Sequence, residues 1–267
     1  MRSRSAATLS LKNKIMKTKV SVTTTVFNNR EYIASAIESV LSQNYPDIEY
    51  IVKDAGSTDG TIEIIKKYGS RISKFVSGKD KGIYDGWNQA IKLATGDIIG
   101  NLNSDDFYAD NDVIKKVVEK MEATGADVCW GDLVYVDRDN PDKVIRYWKS
   151  SPYRPGLFQK GWMPPHPTFF VRREVYEKYG LFTDKLKISA DYELVLRFLE
   201  RYKVKSCYIP EILVKMRQGG KSNRNLLRQL EHHIEDYKAW GLNGFRVNPI
   251  SILLKPLSKI FQYFKKQ

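Results

Sequence analysis

The sequence predicts an α/β fold: a mostly parallel central sheet flanked by helices, with helical elaboration toward the C-terminus. Three observations carry that expectation. From Lys19 onward, runs of β-branched residues alternate with segments whose apolar positions recur every three to four residues. Polar clusters fall where those runs end, which is where open parallel sheets bind ligands. The composition, 42% hydrophobic and 28% charged over 267 residues, suits one large globular domain and excludes disorder, collagen-like repeats and a disulfide scaffold.

Lys19–Phe27 (KVSVTTTVF) is dense in β-branched residues, as a strand requires. Glu31–Gln43 places Ile33, Ala36, Ile37, Val40 and Leu41 on one helical face. Tyr50–Lys53 is a short apolar strand, and the turn residues Gly56 to Gly60 separate it from a helix over Thr61–Tyr68. Ile72–Ser77 reads as a strand, Ile83–Ala94 as a helix, and Asp97–Asn101 as a fourth strand ending at Asn103-Ser104-Asp105-Asp106. Such alternation argues for parallel strands with helices on both faces. A helix is expected from Asn111, then strands over Ala126–Val136 and Lys143–Trp148, and a loop holding Pro152, Pro155, Pro164 and Pro165. Thr168–Val171 reads as a strand, Arg173–Tyr179 and Asp191–Arg201 as helices, Lys203–Ile209 and Ile212–Met216 as strands, and Ser222–Trp240 as a helix. No internal repeat or long linker interrupts this order.

The net charge of +13 is concentrated at the two ends. Residues 1–19 hold six Lys/Arg and residues 242–267 hold five, neither with an acid, which leaves +2 for the 222 residues between. A nucleic-acid-binding domain carries its charge on a folded face, so nucleic acid is not an expected partner. Basic tails point to an anionic membrane surface, with solvated ends as the alternative. No apolar run approaches the ~18 residues of a spanning helix. Residues 1–16 lack an apolar core of signal-peptide length; Met16 is the expected start, and residues 1–15 an unstructured extension. Cys129 and Cys207 belong to no C-x-x-C pair, and with His232 and His233 adjacent no zinc-ligand spacing exists. Both cysteines are expected as small buried hydrophobes in a reducing compartment.

The chemistry is expected from carboxylates at strand ends. No G-x-G-x-x-G follows the first strand, and neither a P-loop nor a G-x-S-x-G elbow occurs. Asp54 opens Asp-Ala-Gly-Ser-Thr-Asp-Gly-Thr, where Thr58 or Asp59 suits a helix cap and Asp54 lies too early to be one. A carboxylate there can accept a hydrogen bond from a nucleobase N–H. Adjacent Asp105 and Asp106 repel unless a cation or solvent relieves them, and a hard divalent ion takes one or two carboxylates plus substrate phosphates. An acidic turn before a helix is the alternative.

Val20–Asn28 (VSVTTTVFN), Val52–Thr61 (VKDAGSTDGT), Asp80–Asp106 (DKGIYDGWNQAIKLATGDIIGNLNSDD) and Ser189–Glu193 (SADYE) stand in that order over residues 20–193. Together they resemble family 2 glycosyltransferases of the GT-A fold, closest to bacterial enzymes that build O-antigen, capsule or exopolysaccharide repeat units. The resemblance implies an inverting, metal-dependent transferase moving a sugar from a nucleotide-sugar, a UDP-sugar, to a lipid-linked glycan acceptor. It implies a nucleotide-sugar half over residues 16–106 and an acceptor half over 107–241, followed by the basic tail 242–267. It places such an enzyme in the cytoplasm, peripheral to the inner face of the cytoplasmic membrane.

By the same resemblance Thr25 and Phe27 line the uracil and ribose pocket, Asp54 bonds the base, and Asp105 bridges Mg²⁺ or Mn²⁺ to the donor diphosphate. Asn103 stands where the first acid of the D-x-D motif is usual, and with Ser104 belongs to the donor site; Asn brings no charge. Trp87 stands where many members have Arg before the residue matched by Asn88, so Lys81 is a candidate replacement cation or an exposed turn lysine. Asp191 matches the catalytic base, with a helix cap as the bland alternative. His166, within Trp162–Phe170 (WMPPHPTFF), and Arg217 and Lys221, within Arg217–Ser222 (RQGGKS), are candidates for contacting acceptor or diphosphate, or else plain loop residues. The competing functions are a catalytically silent, membrane-docked sugar-nucleotide-binding protein and a sugar-phosphate nucleotidyltransferase. Intact Asp54, Asp105 and Asp191 count against the first; Thr-Thr-Val-Phe-Asn-Asn in place of a Gly-rich loop counts against the second.

Overall fold

The computed structural model describes residues 18–219 and 226–246. β1 (Val20–Val26), β2 (Ile48–Asp54), β3 (Lys74–Ser77) and β4 (Ile98–Asn101) form a parallel block in the spatial order β3-β2-β1-β4. Between them run α1 (Ile33–Leu41), α2 (Thr61–Lys66) and α3 (Ile83–Leu93). Every residue of β1 is buried, because helices cover both faces of the sheet. The first half is thus the strand-helix alternation expected.

Beyond β4 the sheet becomes mixed. β5 is only Phe107–Tyr108, and α4 spans Val113–Thr124. β6 (Val128–Val136) pairs in parallel with β9 (Ser206–Arg217) and antiparallel with β7 (Val144–Trp148) and β8 (Phe170–Arg172). β8 also pairs antiparallel with β4, which joins the two halves into one nine-stranded sheet. The two segments expected around Pro210 are one strand, β9, whose register slips against Gly131, Asp132 and Leu133. α5 (Arg173–Tyr179), α6 (Ala190–Leu196) and α7 (Leu226–Leu242) pack on the outside, α6 running on into a π-helical turn over Arg197–Arg201.

Two hydrophobic clusters lie on opposite faces. One holds Val22, Ile37, Val52, Val117 and Leu133; the other holds Ile51, Trp87, Ile99, Trp130, Leu196 and Trp240. The second carries α6 and α7, so Asp191 is mounted on a packed element. Cys129 and Cys207 are buried and free, opposite each other in the β6–β9 register. Among the described residues no helix is long and apolar enough to cross a membrane.

Candidate active site

Parallel pairing brings the carboxyl ends of β1, β2 and β4 to one rim, with Val26 opposite Asp54 and Thr23 opposite Asn101. On that rim Thr25 is buried, and its Oγ1 has no hydrogen-bond partner among the described residues. Phe27, the next residue outward but one, is half exposed. Gly56 and Gly60 take φ of 86° and 97° in the turn after β2, a conformation that favours glycine. The Asp54 carboxylate serves this turn: it accepts the N–H groups of Gly56 (2.9 Å) and Ser57 (3.0 Å) and the Ser77 hydroxyl (2.6 Å). All three reach Oδ2; Oδ1 has only a 3.3 Å contact from Ser57. Asp54 is therefore both turn anchor and a carboxylate with acceptor capacity left on one oxygen.

Lys81 is exposed, and its backbone N–H donates to Asp85 Oδ2 at 2.9 Å. The Asn88 amide pairs both ways with the Phe182 backbone, Nδ2 donating to the carbonyl at 2.9 Å and Oδ1 accepting the N–H at 3.0 Å. These two bonds tie α3 to the loop that leads toward α6.

The turn after β4 holds two adjacent carboxyls, Asp105 and Asp106. Ser104 Oγ accepts from Asn29 Nδ2 at 2.8 Å, and Asn103 Nδ2 donates to Asp106 Oδ2 at 2.8 Å. Asp106 is buried, and its Oδ1 has no partner among the described residues. Burial first, and then the neighbouring charge of Asp105, push its carboxyl well above the usual range. Burial also raises Asp105, against the opposing pull of Arg138 and Arg217. Asn103 thus supports Asp106 from within the turn. Two carboxyls held up side by side suit a divalent cation, which relieves both and needs only one or two carboxylates beside substrate phosphates. No cluster of three or more His, Cys, Asp or Glu exists among the described residues, so any such shell would draw its other oxygens from water or substrate phosphate.

Arg217, at the end of β9, donates from Nη1 to the Asp105 carbonyl at 2.7 Å. Its guanidinium lies 4.9 Å from the Tyr32 ring and 4.6 Å from that of Phe107. Arg138, which follows β6, also lies against Tyr32, 4.4 Å from the ring, and donates from Nε to the phenol at 2.7 Å. Sequence reading missed Arg138 and Tyr32, since only the sheet brings the residues after β6 and β9 together. Lys221 and residues 247–267 of the basic tail lie outside the described residues.

Asp191 sits in the first turn of α6 beside a small pocket of about 20 Å³ that opens to solvent. Trp87, Asn101, His166, Tyr176, Phe182 and Leu194 are among its walls. Tyr84 Oη lies 3.0 Å from Asp191 Oδ1, and His166 Nδ1 lies 3.2 Å from Oδ2. His166 therefore lies beside Asp191, whereas Arg217 lies beside Asp105. No side chain caps α6. The Ser189 hydroxyl instead meets His232 Nδ1 at 3.0 Å, while Glu235 of α7 takes the backbone N–H groups of Lys187, Ile188 and Ser189. Tyr84 was visible within a quoted motif; Glu235 gave no sequence signal.

Residues 21–180 match the family described as Glycosyl transferase family 2. The chain belongs to that family. An uncharacterised glycosyltransferase of Rickettsia typhi is 31% identical over 225 residues, 80% of this chain and 69% of the relative. The chondroitin synthase of Escherichia coli is 27% identical over 249 residues, which are 88% of this chain but only 35% of that enzyme. The family 2 fold is shared with Staphylococcus aureus TarS 1–349, solved with UDP-GlcNAc, at a TM-score of 0.65 and 18% identity, covering 84% of this chain and 65% of that one. It is shared also with the mannosyltransferase PcManGT of Pyrobaculum calidifontis, solved with GDP-Man and Mn²⁺, at a TM-score of 0.63 and 16% identity, covering 91% and 69%. The architecture is GT-A, and family 2 membership extends to relatives in polysaccharide synthesis.

Proposed function

We propose that this family 2 glycosyltransferase moves a sugar, with inversion, from a UDP-sugar to a hydroxyl of a lipid-linked glycan in surface polysaccharide synthesis. The observation that carries the reading is Asp191, an acid on a packed helix, bonded by Tyr84 at one oxygen, with His166 Nδ1 3.2 Å from the other, and bordering a small aromatic-lined pocket. A carboxylate so placed can take the proton of the acceptor hydroxyl while that oxygen attacks the anomeric carbon, a contribution of typically ~10²–10⁴-fold. The bond from that carbon to the diphosphate breaks on the opposite side, and its electrons leave with the nucleotide.

Thr25 and Phe27, at the outer end of β1, and Asp54, through its less occupied oxygen, are the residues for base and ribose. Ser104, Asn103 and Lys81 rim the same edge. Asp105, with Asp106 behind it, is the residue for Mg²⁺ or Mn²⁺, which when bound neutralises the departing diphosphate. Arg217 supplies positive charge beside Asp105, and Arg138 adds to it. Tail basicity favours work at the anionic cytoplasmic face of the membrane.

The test is UDP release from a panel of UDP-sugars, with and without Mn²⁺, in the presence of a lipid-linked acceptor. Release that needs both donor and acceptor supports the reading. Donor binding without turnover leaves a silent binding protein, and pyrophosphate release a nucleotidyltransferase.

A further inference from the structure

The loop that follows β1 is stitched to its neighbours. Asn28 takes a φ of 49°, a left-handed conformation uncommon outside glycine. The loop after β2 holds it there: Asn28 Oδ1 accepts the Thr58 N–H at 2.9 Å, and the Asn28 N–H donates to Ser57 Oγ at 2.8 Å. The N–H groups of Asn29 and Arg30 donate to Thr61 Oγ1 at 2.9 Å and to Asp59 Oδ2 at 3.1 Å. The two loops, one carrying Phe27 and the other anchored by Asp54, therefore form one unit.

From that unit the Asn29 side chain reaches across to the turn after β4. Its Nδ2 donates to Ser104 Oγ at 2.8 Å, joining residues 75 positions apart. Both ends of the bond are held. The Asn29 carbonyl accepts the Ile33 N–H at 3.1 Å where α1 begins, and Ser104 is buried. Ser104 precedes Asp105, and Asn103 bonds Asp106, so a shift at Ser104 moves the backbone that carries both carboxyls. Arg217 holds the same turn from β9, through the Asp105 carbonyl. The Asn29 bond instead runs directly from the loop of Phe27 to the turn of Asp105.

We propose that Asn29 is a positioning residue that couples the two ends of the donor site: a nucleoside on the first loop fixes Asn29, Asn29 fixes Ser104, and the Asp105–Asp106 turn is thereby set for its cation. The inference rests on the reading of Thr25, Phe27 and Asp54 as the base and ribose site and of Asp105 as the cation residue. It adds a dependence between them that neither assignment contains. Phe27 is half exposed, so a bound base removes freedom that the empty loop keeps. A second ligand then meets a turn that is already ordered and binds more tightly. Linkage makes the effect reciprocal: nucleoside tightens cation by the same factor as cation tightens nucleoside.

Uridine tests this, because it fills the base and ribose positions and carries no phosphate to ligate the ion. Mn²⁺ binding to the full chain is followed by electron paramagnetic resonance with and without saturating uridine, and uridine binding by calorimetry with and without Mn²⁺. Each ligand is expected to tighten the other about fivefold or more in the wild-type chain. In Asn29→Ala that factor is expected to fall within about twofold of unity, while each ligand alone binds within about threefold of wild type. Ser104→Ala, which removes the other partner, is expected to lose the coupling equally, and the double variant to lose no more. Ligands that bind the wild-type chain independently, or a coupling that survives Asn29→Ala, overturn the proposal. So does an Asn29→Ala chain that keeps its Tm but loses both single affinities, since Asn29 would then support each end separately. A wild-type chain that takes up no uridine, or no Mn²⁺ even with uridine bound, would instead sink the donor-site reading beneath it.

Discussion

The Glu235 carboxylate accepts the Ser189 backbone N–H at 2.9 Å, tying α7 to the residue that opens α6. The same carboxylate takes Ile188 at 2.7 Å and Lys187 at 3.0 Å. Successive backbone N–H groups form a small anion nest, filled here by a side chain from 46 to 48 residues downstream. Asp191 and the Tyr84-bound Ile188 carbonyl both depend on that segment. Glu235→Ala is expected to lower kcat by tenfold or more and leave UDP affinity within about twofold, since an ångström of misplacement can cost ~10² in rate. A variant that loses UDP binding and turnover in step would show that Glu235 supports the whole domain rather than the Asp191 segment.

Asp191→Asn removes the proton acceptor while keeping size and hydrogen-bond capacity. It is expected to abolish transfer and to leave UDP binding nearly intact, measured by calorimetry beside UDP release. Residual turnover above a tenth of wild type would exclude Asp191 as the base.

β1, β2 and β4 were legible because burial on both faces demands apolar and β-branched runs, and the helices because one buried face demands a three-to-four spacing. Elements that failed this test were missed for physical reasons. Phe107–Tyr108 is too short to show a period, and β9 carries Pro210 inside a strand because the register slips there. Site residues inside continuous motifs, such as Asp105 and Asp191, could be named from spacing. Arg138, Tyr32 and Glu235 act through contacts made across the fold, which no local pattern encodes. Asn88, a motif position, also bonds the Phe182 backbone, a contact that its motif does not reveal.

Asp105→Ala is expected to lose activity together with the Mn²⁺-dependent part of UDP affinity. The physical ground is the pair of carboxyls held up by burial and, at Asp106, by Asp105's own charge. Removing one relieves its neighbour but leaves the ion without its principal protein ligand. Titrating UDP with and without Mn²⁺ separates the two contributions. Full activity of the wild-type enzyme in excess chelator would end the metal assignment.

Glu49 offers a stability test away from the site. Burial would raise its pKa, but the Ser21 hydroxyl, the Thr95 N–H and hydroxyl, and Lys74 together bring it down to about 2. A carboxyl lowered in the folded state stabilises above its unfolded value, near ~4.3, and that stability is lost as pH falls toward 2. Glu49→Gln is expected to lower Tm at pH 7 and to flatten the wild-type loss of Tm between pH 4.5 and 2. An unchanged acid slope would show that other groups set it.

The basic tail, residues 249–267, lies outside the described residues, and its role is argued from sequence. Ile250, Leu253, Leu254, Leu257, Ile260, Phe261 and Phe264 recur at helical spacing, with Lys255, Lys259, Gln262 and Lys266 on the same period opposite them. A basic face opposite Leu and Phe is the pattern of a helix lying in a membrane interface, and each lysine adds about 1 kcal/mol near an anionic surface. Pro256 interrupts the period and suits the opening of a second short piece. A lipid-linked acceptor makes such an anchor useful, because it brings the cleft to the plane where the acceptor resides. Deleting residues 249–267 is expected to abolish sedimentation with anionic liposomes, most sharply at low salt, while Tm and UDP affinity stay at wild-type values. If the truncated chain unfolds, the tail packs on its own domain; if it still sediments, the membrane contact lies elsewhere.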